Sequence, residues 1–236
     1  MQDGHDLKME TRNRTVPEFK THLAAGILTG VAVGAFGFIS HDLDPVHAGA
    51  VMIMGTTGGL LPDMDSDTGK PLALLFQLLS VLFPVLAYPH VKFLYGQDIT
   101  FLICYYTVSY LFINYGVMPA VKKMTRHRGM MHSIPFTILA GEASFLLLLP
   151  SGITTAVYGS LAVFGSVFAH LVLDELGAMT FAFGFIPMVK QSAGSALKLK
   201  GHIASTVVMY VFLVCMGIAV ADHLLPFLKA FTPWKS

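Results

Sequence analysis

Seven long apolar runs decide what this chain can become. They lie near 22–39, 46–62, 72–90, 99–120, 133–150, 153–175 and 204–228. A helix that crosses the hydrocarbon core of a bilayer needs about 20 mostly apolar residues. In lipid, every backbone N–H and C=O must be satisfied within the protein, which restricts such runs to helices or closed barrels. Runs this long predict an all-α, polytopic membrane helix bundle of about seven transmembrane helices. Charged residues make up 12% of the chain, about half the share of a soluble domain, so no second, soluble domain is expected. The expected organisation is a polar tail over 1–20, a single transmembrane domain over 21–229 and a short tail over 230–236. The first 20 residues hold no apolar core of a cleavable leader, so the chain is expected to insert through its own spans.

The second run is the weakest. It is short and carries Gly49, Gly55, Gly58 and Gly59, small residues that let helices pack closely. Links around Asp42–Pro45 and at Pro150-Ser151-Gly152 suit tight helix hairpins. Cys104 and Cys215 each fall inside an apolar run, which predicts inert buried thiols rather than a disulfide or a thiolate metal site. A formal net charge of +1 gives no ground for nucleic acid as a partner.

The distribution of basic residues is more informative. With the N-terminus in the cytoplasm, 12 of the 15 Lys and Arg residues face inward; only Lys92, Lys229 and Lys235 face outward. The chain is therefore expected in a bacterial or archaeal cytoplasmic membrane, N-terminus inside and C-terminus outside. On that map the polar motifs gather at the cytoplasmic end. Thr21-His22 opens the first helix and Asp63, Asp65 and Asp67 follow the second. His127, Arg128, His132 and Ser133 open the fifth, and His170, Asp174 and Glu175 close the sixth.

His170 and Asp174 stand four residues apart, on one helical face. A turn begun at Pro62 can aim Asp63 and Asp65 inward, and Gly129 allows a bend that turns His127 and His132 to one centre. Imidazoles and carboxylates without thiolate suit Zn, taken as the first choice, or Mn, Fe, Ni or Mg. His22, Asp63, Asp65, His127, His132, His170 and Asp174 exceed what one four-coordinate ion needs, so one or two divalent ions are expected. Each motif has a plainer reading: a cap after Pro62, an interfacial His22, a core His170, or cations meeting lipid phosphates. Convergence of four motifs on one membrane face weighs against these, because ionisable groups in a helix bundle are costly and mark function.

Taken in order, THL at 21–23, LPDMDS at 61–66, HRGMMHS at 127–133 and HLVLD at 170–174 resemble the LexA-regulated, membrane-bound metal-dependent hydrolases, the YdjM-like family. The likeness covers roughly residues 21–202, and the middle two motifs are the specific ones. Met131 departs from it, standing where the family often has Thr. The resemblance implies a metal-dependent hydrolase and leaves its substrate open.

A bound cation can lower the pKa of water from about 15.7 to near 7. Asp65 or Glu175 is a candidate general base, and Arg128 a bidentate holder of an anionic substrate oxygen. Lys122, Lys123 and Arg126 are candidates to draw anionic head groups, besides anchoring the span. Ser66 and Ser133 look like helix caps. A site at headgroup level points to membrane lipid and an amphiphilic or lipid-linked substrate, with hydrolysis of a phosphoester or related bond preferred. The alternatives are a divalent-cation transporter and a scaffold whose metal pins helix ends. A transporter is expected to place its ligands near the midplane.

Several features stay open at this level. Glu142, inside the fifth run, must be neutral or paired and is expected to hydrogen-bond a neighbouring helix rather than line a cavity. Residues 177–202 read as a re-entrant segment or a surface loop with a short amphipathic helix. His41, Asp42, Asp44 and His47 form a weak second metal candidate at the outer side. His202, Asp222 and His223 look interfacial. The oligomeric state is not legible.

Overall fold

A computed structural model describes residues 15–65, 69–93, 98–119, 131–182, 186–189, 198–200 and 203–231. Among the described residues seven helices follow one another: α1 (Thr15–Ile39), α2 (Pro45–Gly58), α3 (Gly69–Val91), α4 (Ile99–Leu111), α5 (Ile134–Leu148), α6 (Ile153–Ala178) and α7 (Ile203–Phe231). A 3-10 turn at Pro62–Asp65 follows α2, and a π-helical turn at Phe112–Val117 extends α4. Six of the helices are long and apolar enough to cross a membrane. The protein is a polytopic helical membrane bundle, as the apolar runs predicted.

The polar segment ahead of the first run ends earlier than expected. Helix α1 begins at Thr15, so 15–20 are helical rather than part of the tail. The remaining tail residues, 1–14 and 232–236, lie outside the described residues.

The second run behaves differently from the other six. With 14 residues, α2 is about 21 Å long, short of the roughly 30 Å hydrocarbon core. It nevertheless runs antiparallel along α1 from Gly37 to His22, because the turn after it continues the same course. Gly37 meets Leu43 at one end, and Gly59 meets Gly26 and the His22 carbonyl at the other. Non-helical backbone is tolerated at such depth where protein surrounds it.

Small residues make this possible. A Cβ on Gly30 would stand 2.5 Å from the Met52 carbonyl oxygen, one on Gly55 2.5 Å from Gly30 Cα, and one on Gly59 2.7 Å from Gly26 Cα. The backbones of α1 and α2 therefore touch. Helix α6 closes over the pair: Gly58 lies against Val163, and Val51 packs with Ala162 in the same buried cluster. Helix α5 pairs with α6 through Phe145, Leu148, Ala156 and Val167. Helices α1, α2, α5 and α6 thus form the centre.

The other three helices lie outside it. Helix α3 pairs with α4, where Tyr105 donates to the Pro84 carbonyl at 2.9 Å. Helix α7 leans on α5 and exposes Val208, Val211, Phe212 and Val214. These outer helices carry the bilayer-facing apolar surface. Cys104 on α4 and Cys215 on α7 are free but exposed, not buried as expected. An apolar neighbourhood in sequence does not separate lipid-facing from core-facing positions when the helix is apolar all round.

The expected hairpin links are present. Asp44 caps α2 by accepting from Val46 N and His47 N, and Gly152 turns the chain between α5 and α6 with φ 105°. Residues 177–202 form neither a re-entrant helix nor an amphipathic one in their described part. Helix α6 continues to Ala178, and Met179–Ala182 then pairs antiparallel with Ile186–Val189. Lys198 bridges Ser133, and Ile134 N donates to the Lys198 carbonyl at 3.3 Å. The chain therefore returns to the start of α5 before entering α7.

Glu142 on α5 faces α7, its Oε1 3.1 Å from where a Gly217 Cβ would be. It lies against a neighbouring helix, but the expected hydrogen bond to that helix is not seen: its Oε2 has no hydrogen-bond partner among the described residues.

Two substitutions in one helix test the backbone contact. Gly55→Leu forces α1 and α2 apart and is expected to lower the melting temperature of detergent-solubilised protein, an overpacking cost of about 1–3 kcal/mol or more. Gly49→Leu, where a Cβ meets nothing within 4 Å, should leave it nearly unchanged.

Candidate metal centre

The glycine contact between α1 and α2 fixes the level at which two polar groups emerge. His22 lies in the second turn of α1, and Asp63 in the 3-10 turn after α2. Helix α5 begins at Ile134, capped by Ser133, whose Oγ accepts from Phe136 N at 3.3 Å; His132 directly precedes that cap. His170 and Asp174 occupy one face of α6 near its end. Four separate stretches of chain thus deliver side chains to one end of the bundle.

His170 is the centre of the group and is buried. Its Nδ1 lies 2.7 Å from the Gly59 carbonyl oxygen. A carbonyl only accepts, so Nδ1 carries the hydrogen. Metal-binding histidines are commonly oriented in this way, with the second nitrogen left to face the ion. Here Nε2 faces Asp63 Oδ1 at 3.6 Å and Asp174 Oδ2 at 3.5 Å, and it makes no hydrogen bond among the described residues.

Asp174 serves three imidazoles. Its Oδ1 lies 3.0 Å from His22 Nε2, and its Oδ2 lies 3.2 Å from His132 Nε2 as well as near His170. The His22 and His170 rings stack with centroids 3.9 Å apart, and His132 stands edge-on to His170 at 5.6 Å. Burial pushes the Asp63 carboxyl above its ordinary pKa, opposed by the neighbouring His170, His22 and His132.

Two ligand sets result, sharing His170: His22, His170 and Asp174; and Asp63, His132 and His170. Within each set the ligand atoms lie within 4.8 Å of one another. Nitrogen and oxygen ligands at 2.0–2.2 Å from one tetrahedral ion stand roughly 3.4 Å apart. The spacings of 3.0–3.6 Å between these atoms match that separation. The donors, nitrogen and carboxylate oxygen, suit a borderline or hard divalent ion. Their number and the shared His170 are compatible with one ion or two.

Of the seven ligand candidates, the structure brings these five together. His127 lies outside the described residues, as do Lys122, Lys123, Arg126 and Arg128. Asp65 falls in the described turn, but its side chain is outside the described set. Ser66 and His202 are also outside it. Glu175 is next to Asp174 and so turned about 100° round the helix; it is not among the converging ligand atoms. At the other end of the bundle, the weak second candidate does not assemble. Asp42 accepts from Tyr158 and Ser40, while Asp44 caps α2 and pairs with His47 Nδ1.

Two participants escape sequence reasoning. The Gly59 carbonyl orients His170, and its only trace in sequence is a glycine-rich run that reads as helix packing. Lys198 reaches the start of α5 through a backbone bridge that no motif announces.

The YdjM inner membrane protein family matches residues 18–229, and the chain belongs to that family. It is an integral inner-membrane protein. Neither the curated proteins nor the solved structures searched contain a match.

Replacing Asp174 tests the centre most directly. Asp174→Asn keeps the shape and removes the charge shared by three imidazoles. Affinity for Zn or Mn, measured by titration of metal-stripped protein, should fall by more than the roughly 10–100-fold that loss of an orienting partner costs. Unchanged affinity would remove Asp174 from the ligand set.

Proposed function

We propose that this YdjM-family protein is a membrane-embedded metal-dependent hydrolase. It acts at the cytoplasmic leaflet on a phosphoester or related bond of a lipid or lipid-linked substrate. The observation that carries the reading is the buried His170, its Nδ1 hydrogen committed to Gly59 and its Nε2 turned between two carboxylates. His22, Asp63, His132, His170 and Asp174 would hold one or two divalent ions, with His127 and Asp65 as further ligands. A bound ion of this kind supplies an activated water and polarises the scissile group.

The chain's own residues do the rest. Gly59 keeps the proton on His170 Nδ1. Glu175, beside the ligands, or Asp65 accepts the proton from the attacking water. Arg128 holds an anionic oxygen in bidentate fashion, and Lys122, Lys123 and Arg126 raise the local concentration of anionic head groups. Ligands at the helix ends, level with head groups, favour an amphiphile over an ion in transit, whose site is expected near the midplane. A scaffold metal would instead have every position filled by protein.

Reconstituted protein loaded with Zn or Mn should release phosphate or a head group from a panel of lipid and phosphoester substrates. His132→Gln, at the rim, and Asp174→Asn should abolish release while melting near the parent temperature. Release that survives both changes would refute the reading, as would metal-free protein of full activity.

Orientation is tested separately. Because Cys104 and Cys215 are exposed, both are first replaced by alanine. Asp67→Cys in that background should react with a membrane-impermeant maleimide only in inverted vesicles. Ready labelling in intact cells would invert the assignment.

A further inference from the structure

Opposite the metal centre, α1, α6 and α7 leave a groove of about 630 Å3 between them. Val33 and Phe36 of α1, Val157 and Leu161 of α6 and Leu228 of α7 line it. The three helices stop at one level. The apolar stretch of α1 ends at Ile39, that of α6 begins at Ile153, and that of α7 ends at Lys229. The groove therefore opens at the membrane surface and runs inward along apolar side chains, at hydrocarbon depth.

Its surface end is built from polar groups. His41 takes φ 63°, a left-handed turn that brings Ser40 and Asp42 together. Asp42 Oδ2 accepts from Ser40 Oγ at 2.8 Å and from Tyr158 OH at 2.5 Å. Both bonds fall on one oxygen, so Oδ1 has no donor among the described residues. The Tyr158 hydrogen bond, then that of Ser40, hold the carboxyl below its ordinary pKa, so it carries charge. Lys229, exposed, directly follows the groove-lining Leu228.

We infer that this groove binds one phospholipid with a primary-amine head group, its acyl chain along Val33, Phe36 and Leu161 and its ammonium on Asp42. Depth in the bilayer selects an acyl chain over a soluble peptide. A fixed carboxylate at the surface end, Asp42, selects a cationic group. An anionic lipid without an amine meets Asp42 as a like charge. The inference stands apart from the hydrolase reading: it uses no residue of the metal centre, and its nearest lining residue on α1, Ala32, stands about 15 Å along the helix from His22.

Native mass spectrometry of the full chain, delipidated and re-exposed to phosphatidylethanolamine or phosphatidylglycerol vesicles, tests it. One phosphatidylethanolamine should be retained in about three- to fivefold preference, the size of one surface ion pair. Asp42→Asn should bring the two lipids to parity with metal content unchanged. Ala32→Trp, at an exposed position on the groove wall, should lower retention of both while the melting temperature holds. Equal retention in the parent protein, a preference that survives Asp42→Asn, or retention indifferent to Ala32→Trp would each overturn the proposal. So would a lipid-free dimer that Ala32→Trp disrupts, since a second copy would then fill the groove.

Discussion

The contact on which the rest of this structure depends is backbone against backbone, between α1 and α2. Gly26, Gly30, Gly55 and Gly59 leave no room for a side chain, and the two helices close until main-chain atoms meet. Lipid offers no hydrophobic drive for helices to associate, so close packing of this kind is a main source of attraction. It also sets a height. With α2 pinned along α1, Gly59 must stand beside His22, and its carbonyl turns toward α6. His170 is there to take it. One packing decision thus fixes an imidazole's tautomer some 110 residues away in sequence.

Burial makes that bond consequential. A buried polar atom left without a partner costs about 1–3 kcal/mol. His170 is buried at the end of a helix bundle, and only one of its nitrogens makes a hydrogen bond among the described residues. The other is answered by the negative ends of Asp63 and Asp174. Polar groups set this close would be a liability at the centre of the membrane. At the helix ends they can meet water or a head group, and the apolar cluster of Phe145, Leu148 and Val167 supports α5 and α6 from within.

Much of this was legible in the chain. The apolar runs located the seven helices of the described residues, six of them long and apolar enough to cross a membrane. His170 and Asp174 share a face by helical spacing, and that part of the geometry is local. What sequence could not supply was depth and facing. Helix α2 is too short by itself, and only its partner explains how it serves. Cys104 and Cys215 lie in runs as apolar as any, yet look outward. The hairpin after α6 has no clean alternation to announce it, and Gly59 contributes a backbone atom, which no side-chain pattern encodes. Asp42 was a weak ligand candidate, and its partner Tyr158 lies more than a hundred residues on, where no local pattern points to it.

The charge pattern of the cluster narrows what it can do. With the hydrogen of His170 Nδ1 committed to Gly59, a bare lone pair on Nε2 would face two carboxylate oxygens, a repulsive arrangement. A hydrogen on the imidazole, one on the Asp63 carboxyl that burial pushes above its ordinary pKa, or a divalent ion would each relieve it. The His170 ring stacks at 3.9 Å on that of His22, whose own Nε2 lies 3.0 Å from Asp174 Oδ1. A divalent ion would be received here by neutral imidazoles, which donate lone pairs to it, with the carboxylates balancing its charge. Spacings near those of a ligand set then need no further cause. Imidazoles and carboxylates gathered at these spacings are the donor set on which the proposed metal centre rests.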